Sequence, residues 1–406
     1  MGQRVHFLEE AFFWSHRTHP AGTAAAGTAD DIGVQQAQGT QIITVDRAID
    51  DAVADHVERA LSDYLATRHA GMAEMAPSFG SAVASLSEFV LGGGKRLRPT
   101  FAWWGWRGAG GTGEGEQADA VLRAVSALEL VQACALVHDD LMDASAMRRG
   151  KPTVHVSFTA RHRAMGWLGE PERFGAAAAI LLGDLALAWA DDMFTGSGID
   201  LGRQAASQEP WRAMRTEMLA GQYLDVLTQA KGDESAEAAI SVAKMKTAAY
   251  TVERPLHLGA ALAGAPAPMI TALREFGQDV GLAFQLRDDI LGMFGDTDVT
   301  GKPAGDDLRE GKRTLLMSVG LAIADAAGRS ADAALLRGAL GDDNLGTDTI
   351  ERARELLVEL GAVAELERRI EELTETALTT LASAGLAEPA ADVLANLAVA
   401  ATRRAH

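Results

Sequence analysis

The sequence predicts an all-α protein with one large helical core. Long stretches carry apolar residues at three- and four-residue spacing, which is typical of helices that bury one face. Convincing strands of alternating apolar and polar residues are absent from the pattern, and an apolar share of 48% is enough for a sizeable core. We therefore expect one helical domain over residues 41–406, a large bundle of helices around a central active-site cavity.

The predicted elements begin after an N-terminal extension. Residues 1–40 are rich in Gly, Ala and Thr without a sustained period, so a flexible extension is predicted there. A solvated tail is favoured over a metal site for its three histidines, which are His6, His16 and His19. The pattern becomes helical over Asp46–His69, and Gly92–Gly94 interrupts the helical region that follows.

Further helices are predicted in order along the chain. Gln117–Arg149 contains no Gly or Pro, and the most apolar stretch, Phe174–Ala190, is interpreted as a buried helix because it contains Gly183 and Asp184. Pro389 suits a first helical position. The remaining predicted helices are Glu209–Ala230, Ser235–Ala263, Met269–Phe294, Lys312–Ala327, Thr349–Leu360, Val363–Ala384 and Glu388–Arg404.

Charge and cysteine content exclude several classes of protein. The formal net charge of −19 argues against a nucleic-acid surface, which would need a basic stripe. Cys134 has no partner for an intrachain disulfide, which fits a cytoplasmic location. We expect no transmembrane segment, because no run of about 18 apolar residues lacks a charge.

Two acidic clusters carry the strongest chemical signal. Asp139 and Asp143 lie four residues apart after an apolar lead-in, so they share one helix face that is at least partly buried. Buried carboxylates need a cation, and oxygen ligands suit Mg²⁺ that bridges to substrate phosphates. Asp288 and Asp289 form the second cluster, in which Gly292 stands where a third carboxylate is common. This cluster is expected to be the weaker metal site, with Asp288 as its ligand.

Basic residues accompany both acidic clusters. Gly92–Gly94 is followed by Lys95, Arg96 and Arg98, and flexible glycines with cations suit a diphosphate. Solvated charges are the alternative reading of each cluster taken alone. Basic residues beside Asp-rich sites in an acidic protein nevertheless indicate a shared polyanion. The other cations near these clusters are Arg148, Arg149, Lys244, Lys246, Lys302, Lys312 and Arg313.

The ordered set of motifs resembles trans-isoprenyl diphosphate synthases, the polyprenyl synthetase family, and among them geranylgeranyl diphosphate synthases. The resemblance runs from about Ile42 to the C-terminus. It implies the all-α isoprenoid synthase fold, a homodimer, and condensation of isopentenyl diphosphate with allylic diphosphates. The motifs that carry it are Gly93–Pro99, Asp139–Asp143 with Arg148–Gly150, Gly221–Gln222, Lys246–Thr247, Phe284–Asp289 and Thr300–Lys302.

Site residues follow from the resemblance, position by position. The implied Mg²⁺ ligands are Asp139, Asp143 and Asp288, which with Lys246 and Arg148 are the expected catalytic residues. The residues expected to contact the allylic diphosphate are Arg148, Lys246, Thr247, Gln285, Lys302 and Lys312. Those expected to contact isopentenyl diphosphate are Lys95, Arg98, Gln132 and Arg149.

Product length is predicted from the helix that carries Asp139. Ala135 lies one turn before Asp139, about 6 Å deeper at 1.5 Å per residue, with Cys134 beside it and Val131 a further turn down. In the family, bulky aromatic residues at the positions of Cys134 and Ala135 often stop elongation early. Both residues are small here. We expect geranylgeranyl diphosphate, with a longer polyprenyl diphosphate as the alternative. A class I terpene cyclase, a non-catalytic subunit and a helical scaffold are less favoured, because none needs both acidic clusters and the Lys95–Arg98 cations.

Overall fold

Helices make up almost all of the described chain. The computed structural model describes residues 47–295, 305–342 and 344–403, apart from the side chain of Asp306. The predicted extension over residues 1–40 and Lys302 lie outside these ranges. After a 3₁₀ turn at Ile49–Asp51, the first elements are α1 (Val53–Met75), α2 (Pro77–Leu91), α3 (Leu97–Gly108), α4 (Glu116–Met142), β1 (Met147–Arg148), β2 (Lys151–Pro152), α5 (Val154–Ala164) and α6 (Pro171–Thr195).

The second half of the chain contains one helical segment of unusual type. It is the π segment (Ala243–Glu253), in which the helix is wound more widely than an α-helix. The helices around and after it are α7 (Leu201–Lys231), α8 (Ala236–Val242), α9 (Arg254–Ala263), α10 (Ala267–Phe294), α11 (Asp306–Arg309), α12 (Leu315–Ala326), α13 (Ser330–Ala339), α14 (Thr347–Glu359), α15 (Ala362–Ser383) and α16 (Ala390–Thr402).

Local sequence signals explain several helix starts. Asp200 caps α7 by accepting from Arg203 N, Ser235 caps α8 through Ala238 N, and Thr314 caps α12 through Met317 N. Proline occupies the first position of α2 and of α6, where its missing N–H has no helical partner to lose. Pro389 lies just before α16 rather than inside it.

Two predicted boundaries and one predicted helix type were wrong. The helix predicted over Gln117–Arg149 ends at Met142, because the chain turns at Asp143 and forms the β1–β2 hairpin. Glu209 is not the start of α7, which begins at Leu201 and continues through Pro210. Ser235–Ala263 is not a uniform α-helix, since the π segment occupies its middle.

Two apolar clusters form the interior. The larger one is built on α4, with α1 to α3, α6, α7, α9, the first half of α10 and α16 around it. The smaller one joins the second half of α10 to α11 through α15. Since α10 contributes to both, the two acidic clusters lie on helices that share one packed framework. Our division into an extension and one domain stays a prediction.

The prediction that Phe174–Ala190 is a buried helix was wrong for one side of α6. Leu182 and Ala186 are buried against α4, but Phe174, Ile180 and Leu181 are 36%, 48% and 63% exposed. Both α4 and α6 are long and apolar enough to cross a membrane by length and composition alone. For α4, 78% of that apolar window is buried inside the protein, against 39% for α6.

Candidate active site

The first acidic cluster lies at the C-terminal end of α4. Asp139 Oδ1 accepts a hydrogen bond from Lys246 Nζ at 2.8 Å and another from Gln222 Nε2 at 3.0 Å. Asp143 forms the C-cap of the helix, one turn further on. Its side chain is only 4% exposed, and its Oδ2 atom accepts no hydrogen bond within the described residues. The predicted sharing of one partly buried face is therefore observed.

The two carboxyl groups respond differently to their surroundings. Burial raises the pKa of Asp139, but the cations of Lys246, Lys312 and Arg148 outweigh it and hold the pKa below its usual value. Burial and the charge of Asp139 raise the pKa of Asp143 to about 6. The cluster therefore contains one firmly ionised carboxylate and one whose charge is costly, which is an environment that favours an added cation.

Lys246 is positioned by the π segment. Besides Asp139, its Nζ atom lies 2.5 Å from Asp225 Oδ2 on α7. Burial lowers the pKa of Lys246, but the two carboxylates outweigh this and raise it. A β-carbon on Gly221 would lie 2.3 Å from the backbone N of Lys246, so only glycine lets α7 approach so closely. Gly281 of α10 makes the same close approach to Ala248 on the other side.

The β1–β2 hairpin brings two arginines to the site. Arg148 Nε donates to both oxygens of Asp140, at 2.8 and 2.9 Å, and its Nη2 atom lies 3.6 Å from Asp139 Oδ2. Arg149 and Gly150 have φ angles of 51° and 71°, as a tight type I′ turn requires. Arg149 donates to the carbonyl of Gly93. This bond links the hairpin to the glycine-rich turn, which we define as Gly92–Gly94 with the basic residues that follow.

The basic residues of the glycine-rich turn point in different directions. Arg98 Nη2 donates to Thr251 Oγ1 at 2.9 Å, and its guanidinium lies 3.9 Å from the ring centroid of Tyr250, both on the π segment. Lys95 is exposed beside it. Arg96 instead points inward, where it is 4% exposed and donates to Glu129 Oε2 at 2.7 Å. Arg96 is thus a structural residue.

The two aspartates of the second acidic cluster have different environments. Asp288 is half-buried, whereas Asp289 is 6% exposed and accepts from Gln285 Nε2 at 2.7 Å and from Leu315 N at 3.2 Å. Burial raises the pKa of Asp289 to about 7. Asp289 therefore anchors the start of α12, which leaves Asp288 as the expected ligand of this cluster.

Lys312 connects the segment after α11 to the first cluster. Its Nζ atom lies 3.2 Å from Asp143 Oδ2 and 3.6 Å from Asp307 Oδ1, and it donates to Glu310. Glu310 in turn accepts from Ser145 Oγ at 2.6 Å, on the connection between α4 and the hairpin. Lys312, predicted to contact the allylic diphosphate, is thus already beside Asp143.

Most predicted site residues lie on the elements that converge here. Thr247 is half-buried next to Lys246, and Gln132 is half-buried on the face of α4 that leads to Asp139. Sequence reasoning assigned no role to Gln222, Asp225, Glu310 or Asp307. The spacing of Gly221, Gln222 and Asp225 was the available signal, because residues three or four apart on a helix share a face.

The residues proposed to set product length have different surroundings. Val131 and Cys134 are buried, and Cys134 Sγ lies 3.7 Å from His138 Nδ1. Because a β-carbon on Gly183 would lie 2.2 Å from His138 Nε2, Cys134 and His138 belong to the side of α4 that packs against α6. Burial raises the pKa of Cys134 to about 12, so its thiol is un-ionised. Ala135 is half-buried, which leaves it the most accessible of the three.

Comparison with known proteins identifies the family of the chain. The polyprenyl synthetase family model matches residues 81–357. The geranylfarnesyl diphosphate synthase of Aeropyrum pernix is 32% identical over 317 residues, covering 76% of this chain and 89% of the relative. The (2E,6E)-farnesyl diphosphate synthase of Mycobacterium tuberculosis is 34% identical over 273 residues, covering 67% of this chain and 66% of the relative.

A solved structure shares the fold over most of the chain. The geranylgeranyl pyrophosphate synthase from Corynebacterium glutamicum, crystallised with isoprenyl diphosphate and magnesium, superposes with a TM-score of 0.84. It is 43% identical, and the match covers 87% of this chain and 99% of that one. The predicted isoprenoid synthase fold is confirmed. The chain is a trans-prenyltransferase of the polyprenyl synthetase family.

Proposed function

We propose that this protein condenses isopentenyl diphosphate with allylic diphosphates in a Mg²⁺-dependent reaction, and that its main product is geranylgeranyl diphosphate. The observation that carries this proposal is the convergence on Asp139. Cations from the π segment, from the hairpin and from the segment after α11 surround a carboxylate pair at the end of one helix. Such a set of charges suits a diphosphate held together with a metal ion.

The residues present fit Mg²⁺. The carboxylate oxygens of Asp139, Asp143 and Asp288 are the donors that Mg²⁺ prefers, and the buried Asp143 Oδ2 atom accepts no hydrogen bond within the described residues, with the Lys312 ammonium 3.2 Å away. Among the described residues, no three His, Cys, Asp or Glu side chains form a closed metal site by themselves. A Mg²⁺ ion bound here would therefore need further ligands from water and substrate phosphates.

The residues then have distinct tasks in the reaction. Lys246, Arg148 and Lys312 place positive charge where the allylic diphosphate departs as its C–O bond breaks. Bound Mg²⁺ supplies Lewis-acid neutralisation of the same leaving group. The double bond of isopentenyl diphosphate attacks the allylic carbon, and loss of a proton, with the departing diphosphate as base, completes the new allylic product. No protein nucleophile is needed.

The cations of the glycine-rich turn favour elongation over cyclisation. Arg98 and Arg149 lie at the glycine-rich turn with Lys95, and Arg149 donates to the carbonyl of Gly93. A terpene cyclase consumes one diphosphate and leaves this turn unexplained. We assign the turn to isopentenyl diphosphate.

The proposed product length is supported by small residues rather than by similarity. The relatives described above are named for farnesyl, geranylgeranyl and geranylfarnesyl products, so likeness alone does not choose between them. Ala135, the more accessible of the two small residues before Asp139, lacks the aromatic bulk that would stop the chain near Asp139. Without an aromatic side chain at this level, a stop at fifteen carbons is disfavoured. Geranylgeranyl diphosphate, with twenty carbons, is the next product in the series.

Product chromatography tests the proposed function. The purified protein would be incubated with Mg²⁺, labelled isopentenyl diphosphate and, in turn, dimethylallyl, geranyl and farnesyl diphosphate. We expect geranylgeranyl diphosphate from each primer. Hydrocarbon products made without isopentenyl diphosphate would instead indicate a cyclase, and products mainly longer than twenty carbons would contradict the proposed length.

We also propose that the protein is a cytoplasmic homodimer. The exposed apolar side chains Phe174, Ile180 and Leu181 lie on α6, and a second copy would remove them from water. Cys134, buried and with a free thiol, fits a reducing compartment.

A further inference from the structure

The π segment ends at two neighbouring residues of opposite charge. Glu253 is its last residue, and Arg254 is the first residue of α9. Both are almost completely buried, at 5% and 7% exposed. Burial of a charged side chain costs free energy unless a partner of opposite charge compensates for it. The proposed reaction uses neither residue, so their burial at this point needs a separate explanation.

Each of these two residues binds a different helix. Arg254 makes a double contact with Glu217 of α7, in which its Nε atom donates to Oε2 at 2.8 Å and its Nη2 atom donates to Oε1 at 2.5 Å. Arg274 of α10 donates through Nε to Glu253 Oε1 at 2.8 Å, and its Nη2 atom lies 2.8 Å from the same oxygen. The end of the π segment is therefore bound to both α7 and α10.

Glycines let the same two helices approach the π segment closely. Gly221 of α7 lies against the backbone of Lys246, and a β-carbon on Gly277 of α10 would lie 2.6 Å from Glu253 Cα. A glycine contact permits close approach but does not fix how the segment is turned about its own axis. The ion pairs at Glu253 and Arg254 do fix it, because each joins particular donor and acceptor atoms.

The direction of the π segment matters for two cations of the site. A π-helix has more residues per turn than an α-helix, in which each residue turns the chain by about 100°. Relaxation of the segment towards α geometry would therefore rotate Lys246 relative to Glu253. Lys246 Nζ lies 2.8 Å from Asp139 Oδ1. Thr251 Oγ1 accepts from Arg98 Nη2 at 2.9 Å. A rotation would disturb both of these contacts.

We propose that the ion pairs Arg254–Glu217 and Glu253–Arg274 are positioning pairs, which hold the π segment in the geometry that directs Lys246 to the allylic diphosphate. They act through the segment rather than on the substrates. This inference rests on the proposed function and adds to it, because it extends the determinants of diphosphate binding to residues outside the site.

Binding of inorganic diphosphate with Mg²⁺ reports on the direction of Lys246 without turnover. Calorimetry would be carried out on the full chain, together with kcat and the KM for the allylic primer. The double variant Arg254→Met with Glu217→Gln removes both charges of one pair, so neither is left buried without the other. We expect diphosphate binding to weaken by about tenfold or more and KM to rise similarly, because a small displacement of a binding group has effects of this size.

Two further variants separate positioning from general stability. Arg254→Lys keeps a cation beside Glu217 and should retain most of the wild-type affinity. Arg215→Met is the matched control, because it breaks an ion pair of 2.7 Å between the same helix α7 and Asp191 of α6. It should lower the melting temperature without changing diphosphate affinity or KM.

The second ion pair gives an independent test. The Arg274 side chain is 36% exposed, so Arg274→Gln with Glu253→Gln should fold even if the first double variant does not. We expect the same loss of diphosphate affinity. A folded double variant of either pair that binds diphosphate as the wild type does would overturn the proposal, and so would an equal loss of affinity in Arg215→Met.

The outcome is separable from that of the proposed function. Prenyl transfer by the wild-type protein is measured independently with isopentenyl and allylic diphosphates. If the wild type elongates the primer while both double variants keep its diphosphate affinity, the positioning role fails alone. If the wild type transfers no prenyl group, the proposed function fails, and the calorimetry still decides whether the pairs position Lys246.

Discussion

Asp139 and Asp143 lie one helical turn apart, yet the pKa values of their carboxyl groups shift in opposite directions. Asp139 meets the ammonium of Lys246 directly and has other cations nearby. The Asp143 side chain is less exposed than that of Asp139, and one ammonium lies 3.2 Å from it. A divalent ion or its complex with diphosphate would relieve this imbalance and lower the pKa of Asp143.

A bulky residue at Ala135 should shorten the product. Ala135 is half-buried one turn before Asp139, so a phenylalanine there would fill space below the diphosphates without touching the metal ligands. We expect Ala135→Phe to give mainly farnesyl diphosphate at near-normal turnover, measured by product chromatography. Cys134→Phe is the comparison, since that site packs towards α6, and it should lower the melting temperature. An unchanged product distribution in an active Ala135→Phe variant would show that residue 135 does not limit product length.

At the residue scale, sequence spacing predicts faces but not partners. The four-residue interval between Asp139 and Asp143 correctly indicated one helix face. It gave no sign that Lys246, 107 positions away in the chain, would bind Asp139, or that Asp289 would turn inward to Leu315 N. Contacts of this kind depend on how helices cross, which no local pattern encodes. The resemblance supplied Lys246, but not its second partner, Asp225.

At the element scale, the site depends on two departures from regular helix. The π segment carries Lys246, Thr247 and the Tyr250–Thr251 pair that holds Arg98. The β1–β2 hairpin carries Arg148 and Arg149. Periodicity predicted helix over the π segment and over Arg148 and Arg149. A π turn has no distinct amino-acid composition, and two strands of two residues each are too short to show alternation of apolar and polar residues. Arg149-Gly150 and the nearby Pro152 were the available turn signals.

A side chain at Gly221 should disable the site through the position of Lys246. A β-carbon there would lie 2.3 Å from Lys246 N, so Gly221→Val must push α7 away from the π segment. We expect turnover to fall about a hundredfold and unfolding free energy to fall by about 1–3 kcal/mol, as in other overpacked interiors. The control is Gly71→Val, since no atom lies within 4 Å of a β-carbon on Gly71. Full turnover in Gly221→Val would show that this close approach is unnecessary.

At the scale of the whole molecule, fold class was predictable because the evidence for it is spread over every helix. Three- and four-residue spacing recurs through the chain, so individual boundary errors at Met142 and Leu201 did not alter the result. Exposure of α6 was not predictable. A helix with one exposed apolar side can have the same composition as a helix buried on all sides. The difference between α4 and α6 therefore became visible only in the packing of the two helices.

Charge placed on the exposed side of α6 should separate the proposed dimer. Ile180 and Leu181 are 48% and 63% exposed, so replacing both with Asp costs little in the isolated chain but would bury two charges in an interface. Light scattering should give a dimer for the wild type and a monomer for Ile180→Asp with Leu181→Asp. Met75→Asp, which alters another exposed apolar residue, should remain dimeric. A monomeric wild type, or a dimer that survives both Asp substitutions, would contradict the proposed interface.

Steady-state turnover of Asp139→Asn tests most directly whether the Asp139 carboxylate is the centre of a Mg²⁺-dependent prenyl transfer site. The substitution keeps the side-chain size but removes the charge that holds Lys246. Labelled isopentenyl and farnesyl diphosphates would be supplied with Mg²⁺, and Asp119→Asn, an exposed residue of the first turn of the same helix, would be the matched control. We predict a loss of about a hundredfold or more in Asp139→Asn, a similar loss for the wild type in chelator, and no change in Asp119→Asn. A folded Asp139→Asn variant that elongates farnesyl diphosphate at the wild-type rate would contradict the assignment.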